Sequence, residues 1–211
     1  GKLSGRTILE AEDAVTRIDD SLNKKNKGDF CLWRFSKKGE PEWNSEFGKG
    51  RPGWHIEDTA ITETFFGSQY DIHGGALDLI FPHHEAEIAQ MEAASNKKPF
   101  VKYWLHTGFL NIKGKKMAKS LGNFMTIREA LKKYDYKVLR YLFLSNHYKT
   151  SLDFTENMLE QSKNSLERIN ELALKSKGKP IKLTKTYIEK TKKEFISHLD
   201  NDFNTPNAFS V

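Results

Sequence analysis

Tyr70-Asp71-Ile72-His73-Gly74-Gly75-Ala76-Leu77-Asp78-Leu79-Ile80-Phe81 sets two apolar runs around a Gly-Gly corner. Strand ends that run into glycine-rich loops are where open parallel sheets bind ligands, so the stretch predicts an α/β fold with a site at the corner. His73 and Asp78 sit on either side of it. The next stretch, Pro82-His83-His84-Glu85-Ala86-Glu87-Ile88-Ala89-Gln90-Met91, predicts a helix with Pro82 in its first turn. His83 and Glu87 are four apart and share one face, a workable spacing for two metal ligands. The same pair is also ordinary helix chemistry, with Glu near the start and His83 capping or packing. Two ligands alone do not make a zinc site.

Upstream, Cys31-Leu32-Trp33-Arg34-Phe35 alternates like a short strand, and Lys37 to Pro41 is a turn cluster. Trp43 to Pro52 reads as a loop rich in Gly and charge. Arg51-Pro52-Gly53-Trp54-His55-Ile56-Glu57 then sets a rigid turn against two rings, and a helix is expected from Trp54 to Phe66, stopped by Gly67. A Trp and a His at a helix mouth suit a small-molecule pocket; padding of the core is the plainer alternative. Residues 1–29 are polar, with one weak amphipathic pattern at Ile8, Ala11, Ala14, Val15 and Ile18.

Downstream, Trp104 to Ile112 predicts a strand leading into Lys115-Lys116-Met117-Ala118-Lys119-Ser120-Leu121-Gly122-Asn123. Three ammonium groups and a hydroxyl are bracketed by Gly114 and Gly122, which lets the segment close on a ligand and reopen. Such lysines suit a nucleotide's polyphosphate, where charge builds up as pyrophosphate leaves. A solvated lysine-rich turn is the bland alternative, and Met117 argues against it. Thr126 with Glu129 forms a capping box. Leu131, Val138, Leu139, Leu142 and Phe143 supply an apolar stripe. From Thr155 the texture becomes long polar helices, striped by Leu159, Leu166, Ile169 and Ala173, broken at Gly178-Lys179-Pro180, and striped again by Ile188, Phe195, Ile196 and Leu199. Such helices suit an antiparallel bundle.

The chain has 211 residues, 34 Lys plus Arg, 28 Asp plus Glu and a formal charge of +6. That permits a polyanionic partner without requiring one. The single cysteine, Cys31, makes no internal disulfide, which fits a reducing compartment. No apolar run approaches a membrane span.

Taken in order, Gly53-Trp54-His55-Ile56-Glu57, Asp71-Ile72-His73-Gly74-Gly75, Phe81-Pro82-His83-His84-Glu85-Ala86-Glu87 and Lys116-Met117-Ala118-Lys119-Ser120 closely resemble the cysteinyl-tRNA synthetase family. The resemblance runs through nearly the whole chain. It implies a Rossmann-type class I synthetase catalytic domain: the tail of a connective insertion over 1–28, the second catalytic half with the lysine loop over 29–124, a stem-contact fold over 125–154, and the start of an α-helical anticodon-side bundle over 155–211. It implies cysteine activation with ATP and Mg²⁺ to cysteinyl-adenylate, then transfer to tRNA(Cys), in a cytoplasmic, monomeric enzyme.

By the same resemblance Lys119, assisted by Lys116, stabilises the phosphates. Trp54 walls the substrate side chain. His73, Gly74 and Asp78 line the adenylate and the tRNA 3′ end. His83 and Glu87 match a zinc site whose other ligands in the family are two cysteines. At the second of these positions stands Asp58, and the first would lie upstream. Asp58 is either an oxygen ligand or leaves the site empty. The lysine loop carries Ala118 where the family has serine, and the family's H-I-G-H motif is missing. The resemblance thus implies a fragment, inactive alone. Two rivals stay open: an enzyme joining cysteine to an amino sugar in mycothiol synthesis, and a non-catalytic RNA-binding remnant.

Overall fold

The structure is a computed structural model that describes residues 1–7, 10, 24–177 and 183–211. The stripe from Ile8 to Ile18 and the break at Gly178-Lys179-Pro180 lie outside the described residues. The chain divides into two units, Gly1–His106 and Thr107–Val211.

In the first unit β1 (Trp33–Phe35) pairs antiparallel with β2 (Gly50–Pro52). The segment Trp43 to Pro52 is therefore not all loop: Gly50 to Pro52 is strand, and Trp43 exchanges two hydrogen bonds with Gly50. Gly50 and Pro52 hid the strand, because neither residue favours one. Next, α1 (Trp54–Phe66) runs as the pattern predicts and stops at Gly67, whose φ of 79° only glycine adopts freely. β3 (Tyr70–Ala76) pairs with β4 (Val101–Thr107). The Tyr70 N–H donates to Phe100 O, and Gly74 lies beside Leu105, so the two strands run in the same sense.

One expectation fails between these strands. Gly74 and Gly75 continue β3 instead of turning; the corner comes at Leu77–Leu79. A Cβ on Gly75 would stand 2.7 Å from His84 Cε1, so glycine is needed here for close packing. The helix after Phe81 opens as expected: Phe81 is extended, Pro82 to His84 form the first turn, and this runs without a break into α2 (Glu85–Ser95). Ile88 and Met91 on α2 pack with Phe100 and Val101, and Leu3, Tyr70 and Trp104 close this core.

In the second unit the expected single strand from Trp104 to Ile112 is two, because β4 ends at Thr107 and β5 (Leu110–Ile112) starts anew after Gly108. β5 is the middle of a three-stranded sheet, antiparallel to β6 (Lys115–Lys116) and parallel to β7 (Leu152–Asp153). The capping box at Thr126 and Glu129 forms and starts α3 (Ile127–Lys133). Asp135 accepts from the Lys137 N–H and starts α4 (Tyr136–Leu144). Val138, Leu139 and Leu142 of the stripe are buried, whereas Leu131 and Phe143 stay exposed. Val138, Leu139 and Leu142 pack with Ala130, Leu152 and Leu159, the last on α5 (Glu156–Ser176). Burying Leu142 fully stabilises by about 1.5–3 kcal/mol.

α6 (Lys185–Asp200) buries none of its residues; Ile188, Phe195 and Ile196 stay exposed. α7 (Thr205–Ala208) follows a reversal in which Asp202 and Phe203 both take positive φ. The Asp202 carboxylate holds that reversal by accepting from Tyr148 Oη at 2.6 Å and from Lys149 Nζ.

Candidate functional site

Two chemically distinct clusters stand out, one in each unit. The first gathers around α2. Three carboxylates on this helix face inward or toward the N-terminal segment, and two of them are satisfied. Glu85 accepts from the Leu3 and Ser4 N–H groups at 2.7 and 2.6 Å. Glu92 is paired with Lys2 and accepts from the Phe100 N–H at 3.3 Å. Glu87 is 1% exposed, and neither of its oxygens has a hydrogen-bond partner among the described residues. Its Oε1 lies 2.8 Å from His83 Nε2 but out of line for a hydrogen bond, and its Oε2 lies 3.7 Å from His73 Nε2. A buried carboxylate is costly unless a positive charge faces it, and His83 is the nearest group able to carry one.

His83 is the hub. Its Nε2 faces Asp58 Oδ2 at 2.7 Å as well as Glu87, and its Nδ1 lies 2.7 Å from His55 Nδ1. Trp54, the first residue of α1, stacks on the His83 ring at 4.2 Å and stays more than half exposed. Burial works against charge on His83, but the carboxylates of Glu87 and Asp58 outweigh it and raise its pKa. One carboxylate oxygen from each of Asp58 and Glu87 and one His83 nitrogen lie within 4.8 Å of one another. His73, His84 and Glu87 make a second such group on the other side of the shared glutamate.

Behind this sits a histidine layer that sequence reasoning missed. His84 is 1% exposed, its Nδ1 is 2.8 Å from His106 Nε2, and both rings lie beside Trp104. Burial, then the neighbouring imidazoles of His73, His106 and His83, pushes the His84 pKa down to about 3, so it is neutral. Burial likewise lowers His73 and His106. The Tyr70 hydroxyl bonds His73 Nδ1, and burial raises its pKa to about 12. The signal available in the sequence was the density of histidines facing one helix start.

Of the other expected site residues, His73 and Gly74 lie on β3, His73 half-buried within the cluster and Gly74 exposed. Asp78 is exposed on the Leu77–Leu79 turn.

The second cluster is the lysine loop. β6 carries Lys115 and Lys116, and a short turn carries Lys119. The Met117 N–H donates to Leu110 O at 2.8 Å. Asn123 clamps the loop across its base, accepting from the Ala118 N–H at 2.9 Å and donating from Nδ2 to Lys116 O at 3.1 Å. Lys116 Nζ rests 4.3 Å above the Phe109 ring, while Lys119 is exposed. Neither Asn123 nor Phe109 was singled out by sequence. The habit of Asn of bonding nearby backbone was the available cue for the first.

Residues 1–164 match the family described as tRNA synthetases class I (C) catalytic domain. The chain belongs to the class I cysteinyl-tRNA synthetase catalytic family. It is 58% identical over 170 residues to a cysteine--tRNA ligase of Thermoplasma acidophilum, covering 81% of this chain and 37% of that protein. It is 49% identical over 214 residues to the cysteine--tRNA ligase of Coxiella burnetii, covering all of this chain and 45% of that protein. The chain thus spans less than half the length of these relatives. The fold is also similar to the LeuRS of Agrobacterium radiobacter K84 solved with tRNA and LeuAMS, at a TM-score of 0.59 and 11% identity, over 80% of this chain and 28% of that one. A class I synthetase α/β catalytic architecture is what these likenesses establish.

For a cysteinyl synthetase family member the departure at Asp58 is now geometric. Its carboxylate, half-exposed, lies 2.7 Å from His83 Nε2. The donor set Asp58, His83 and Glu87 fits a divalent cation of the zinc type, because it offers two carboxylates and an imidazole around an otherwise orphaned oxygen pair.

Proposed function

We propose that the full-length protein carrying this chain activates L-cysteine with ATP and Mg²⁺ as cysteinyl-adenylate and transfers it to tRNA(Cys). The observation that carries this reading is the orphaned Glu87 carboxylate, 1% exposed beneath the Trp54–His83 stack, with Asp58 beside it. An amino acid bearing a thiol is the substrate such a site selects once a thiophilic cation is held there. Asp58, His83 and Glu87 would hold zinc, which supplies a Lewis acid that binds the substrate thiol as thiolate. Trp54 covers the substrate side chain. His73, Gly74 and Asp78 line the adenylate and the RNA terminus. His84 and His106, kept neutral, orient the hub from behind without adding positive charge.

Lys119, with Lys116 assisting, neutralises the triphosphate as pyrophosphate leaves. Preorganised charge of this sort contributes about 100-fold or more to rate. The segments assigned above as catalytic half, stem-contact fold and helical entry are part of the same proposal, as are a monomeric state and a cytoplasmic setting. Among the described residues no helix is long and apolar enough to cross a membrane. The amino-sugar ligase and the non-catalytic remnant are the weaker readings, since the relatives named above are cysteine--tRNA ligases.

The test is cysteine-dependent ATP–pyrophosphate exchange and tRNA charging by the full-length protein. Exchange is expected with cysteine and not with serine, and Lys119→Ala should lower it about 100-fold or more. Metal analysis of unchelated protein should find close to one equivalent of zinc, falling in Glu87→Gln. Absence of exchange, or charging that needs no cysteine, refutes the proposal.

A further inference from the structure

The His73 ring on β3 lies 4.8 Å from the ring of Trp104 and 4.7 Å from that of His84. Packing of this kind does not choose between the two flips of an imidazole, because their outlines are nearly the same. Polar contacts at the ring edge choose. The Tyr70 hydroxyl sits on Nδ1, and Nε2 is then left facing Glu87 Oε2 at 3.7 Å. The other flip would put ring carbons in both places.

The same two contacts place the proton. A neutral imidazole carries one N–H. An unprotonated Nε2 would turn its lone pair on a carboxylate that is 1% exposed, and such a site screens the repulsion poorly. An Nε2–H turns its positive end on that carboxylate instead. Tyr70 completes the arrangement, since a phenol donates to the unprotonated Nδ1. Glu87 is thereby faced from two sides, Oε2 by His73 and Oε1 by His83 Nε2 at 2.8 Å. The His73 contact, at 3.7 Å, is longer than a hydrogen bond, and a shift of about 0.7 Å would close it. With Oε2 turned to His73, Oε1 is the oxygen on the side of His83 and Asp58.

We propose that Tyr70 is a positioning residue for Glu87, acting through His73: its hydroxyl fixes the flip and the tautomer of that ring, and the ring fixes the carboxylate. The inference rests on the reading of Asp58, His83 and Glu87 as a metal centre. Ligating carboxylates are held by outer partners of this sort, and losing one costs about 10–100-fold in metal affinity. The Tyr70 ring is anchored independently of its hydroxyl. It packs 5.5 Å from the Phe66 ring and 5.2 Å from the Phe100 ring, and the Tyr70 N–H donates to Phe100 O. Tyr70→Phe therefore removes the hydroxyl and keeps the packing.

The experiment uses the full-length protein carrying ¹⁵N-labelled histidine. Long-range ¹H–¹⁵N correlation on metal-free samples reads the ring, and competition with a chromophoric chelator reads zinc affinity. The His73 signal is the one lost in His73→Gln. In the parent it should show the Nε2–H form. In Tyr70→Phe it should show a mixture of forms, zinc should bind about 10–100-fold more weakly, and the melting temperature of the metal-free protein should stay close to the parent's. In a His73→Gln background Tyr70→Phe should weaken zinc binding no further, a non-additivity that a merely structural role would not produce. Parent-like zinc affinity in Tyr70→Phe overturns the proposal. So does weaker binding with the His73 signal unchanged, or with the two substitutions fully additive. A parent that binds no zinc defeats the metal reading and this proposal together; a parent that binds zinc and exchanges pyrophosphate, beside a Tyr70→Phe variant equal to it, defeats this proposal alone.

Discussion

Replacing Asn123 by alanine removes both bonds that tie the base of the lysine loop, the Ala118 N–H to Oδ1 at 2.9 Å and Nδ2 to Lys116 O at 3.1 Å. Each such bond contributes a net ~0.5–1.5 kcal/mol. The site is half-exposed, so water replaces part of what is lost, and about 1–2 kcal/mol of loop order is the reasonable figure. If Lys119 must be held in place as pyrophosphate leaves, that free energy enters the barrier and slows the step roughly 5- to 30-fold. The assay is kcat for cysteine-dependent pyrophosphate exchange by the full-length protein, run beside hydrogen exchange at the Ala118 and Met117 amides. Asn123→Asp is the informative partner, because it keeps the acceptor for the Ala118 N–H and loses the donor to Lys116 O. It should fall between the parent and alanine in amide protection. Faster exchange at Ala118 with kcat changed less than twofold would show that loop order and catalysis are separate, and the reasoning would be wrong.

Leu142→Ala, at a side chain 1% exposed, should destabilise α4 and α5 by about 2–5 kcal/mol, read as lost hydrogen-exchange protection in both helices. Gly75→Ala sets a Cβ 2.7 Å from His84 Cε1, and the imidazole, itself buried, has little room to yield; about 1–3 kcal/mol of overpacking is expected, seen as a lower melting temperature. Hydrogen bonds from Lys149, then Tyr148, lower the Asp202 pKa in the folded state. Its stabilisation is therefore present above the ordinary carboxylate pKa of about 3.9 and is lost as pH falls through the lowered folded value. Parent and Asp202→Asn should differ in protection of the α6–α7 reversal near neutral pH and converge in acid; a difference that does not shrink as the carboxylate is protonated would contradict this.

Where local chemistry decides the backbone, the sequence was legible. Thr126 and Glu129 bond each other's backbone within four residues, so the start of α3 needs no tertiary help. Gly67 stops α1 for the same reason. Where tertiary packing decides, it was not. Gly74 and Gly75 look like a corner on propensity alone, yet they lie in a strand because His84 must press against it. Gly50 to Pro52 is strand only because Trp33 to Phe35 is there to pair with it. In the site, the i, i+4 spacing put His83 and Glu87 together correctly, and the family pattern added Asp58. His55, His84 and His106 come from three different elements, and no spacing in the chain brings them to one place. The exposed stripe of α6 shows the converse, a helix pattern read correctly whose burial does not follow from it.

The lysine loop is stitched to β5 by its own edge strand two residues long, through two register pairs and the Met117–Leu110 bond. None of the side chains buried in that unit's apolar core belongs to the stitch. The loop can therefore peel from β5 as a zipper does, one rung at a time, while the helices behind it keep their packing. Such a design separates wear from function: a protein can tune how readily its cationic flap lifts by editing a few polar rungs, and its melting behaviour would hardly register the change.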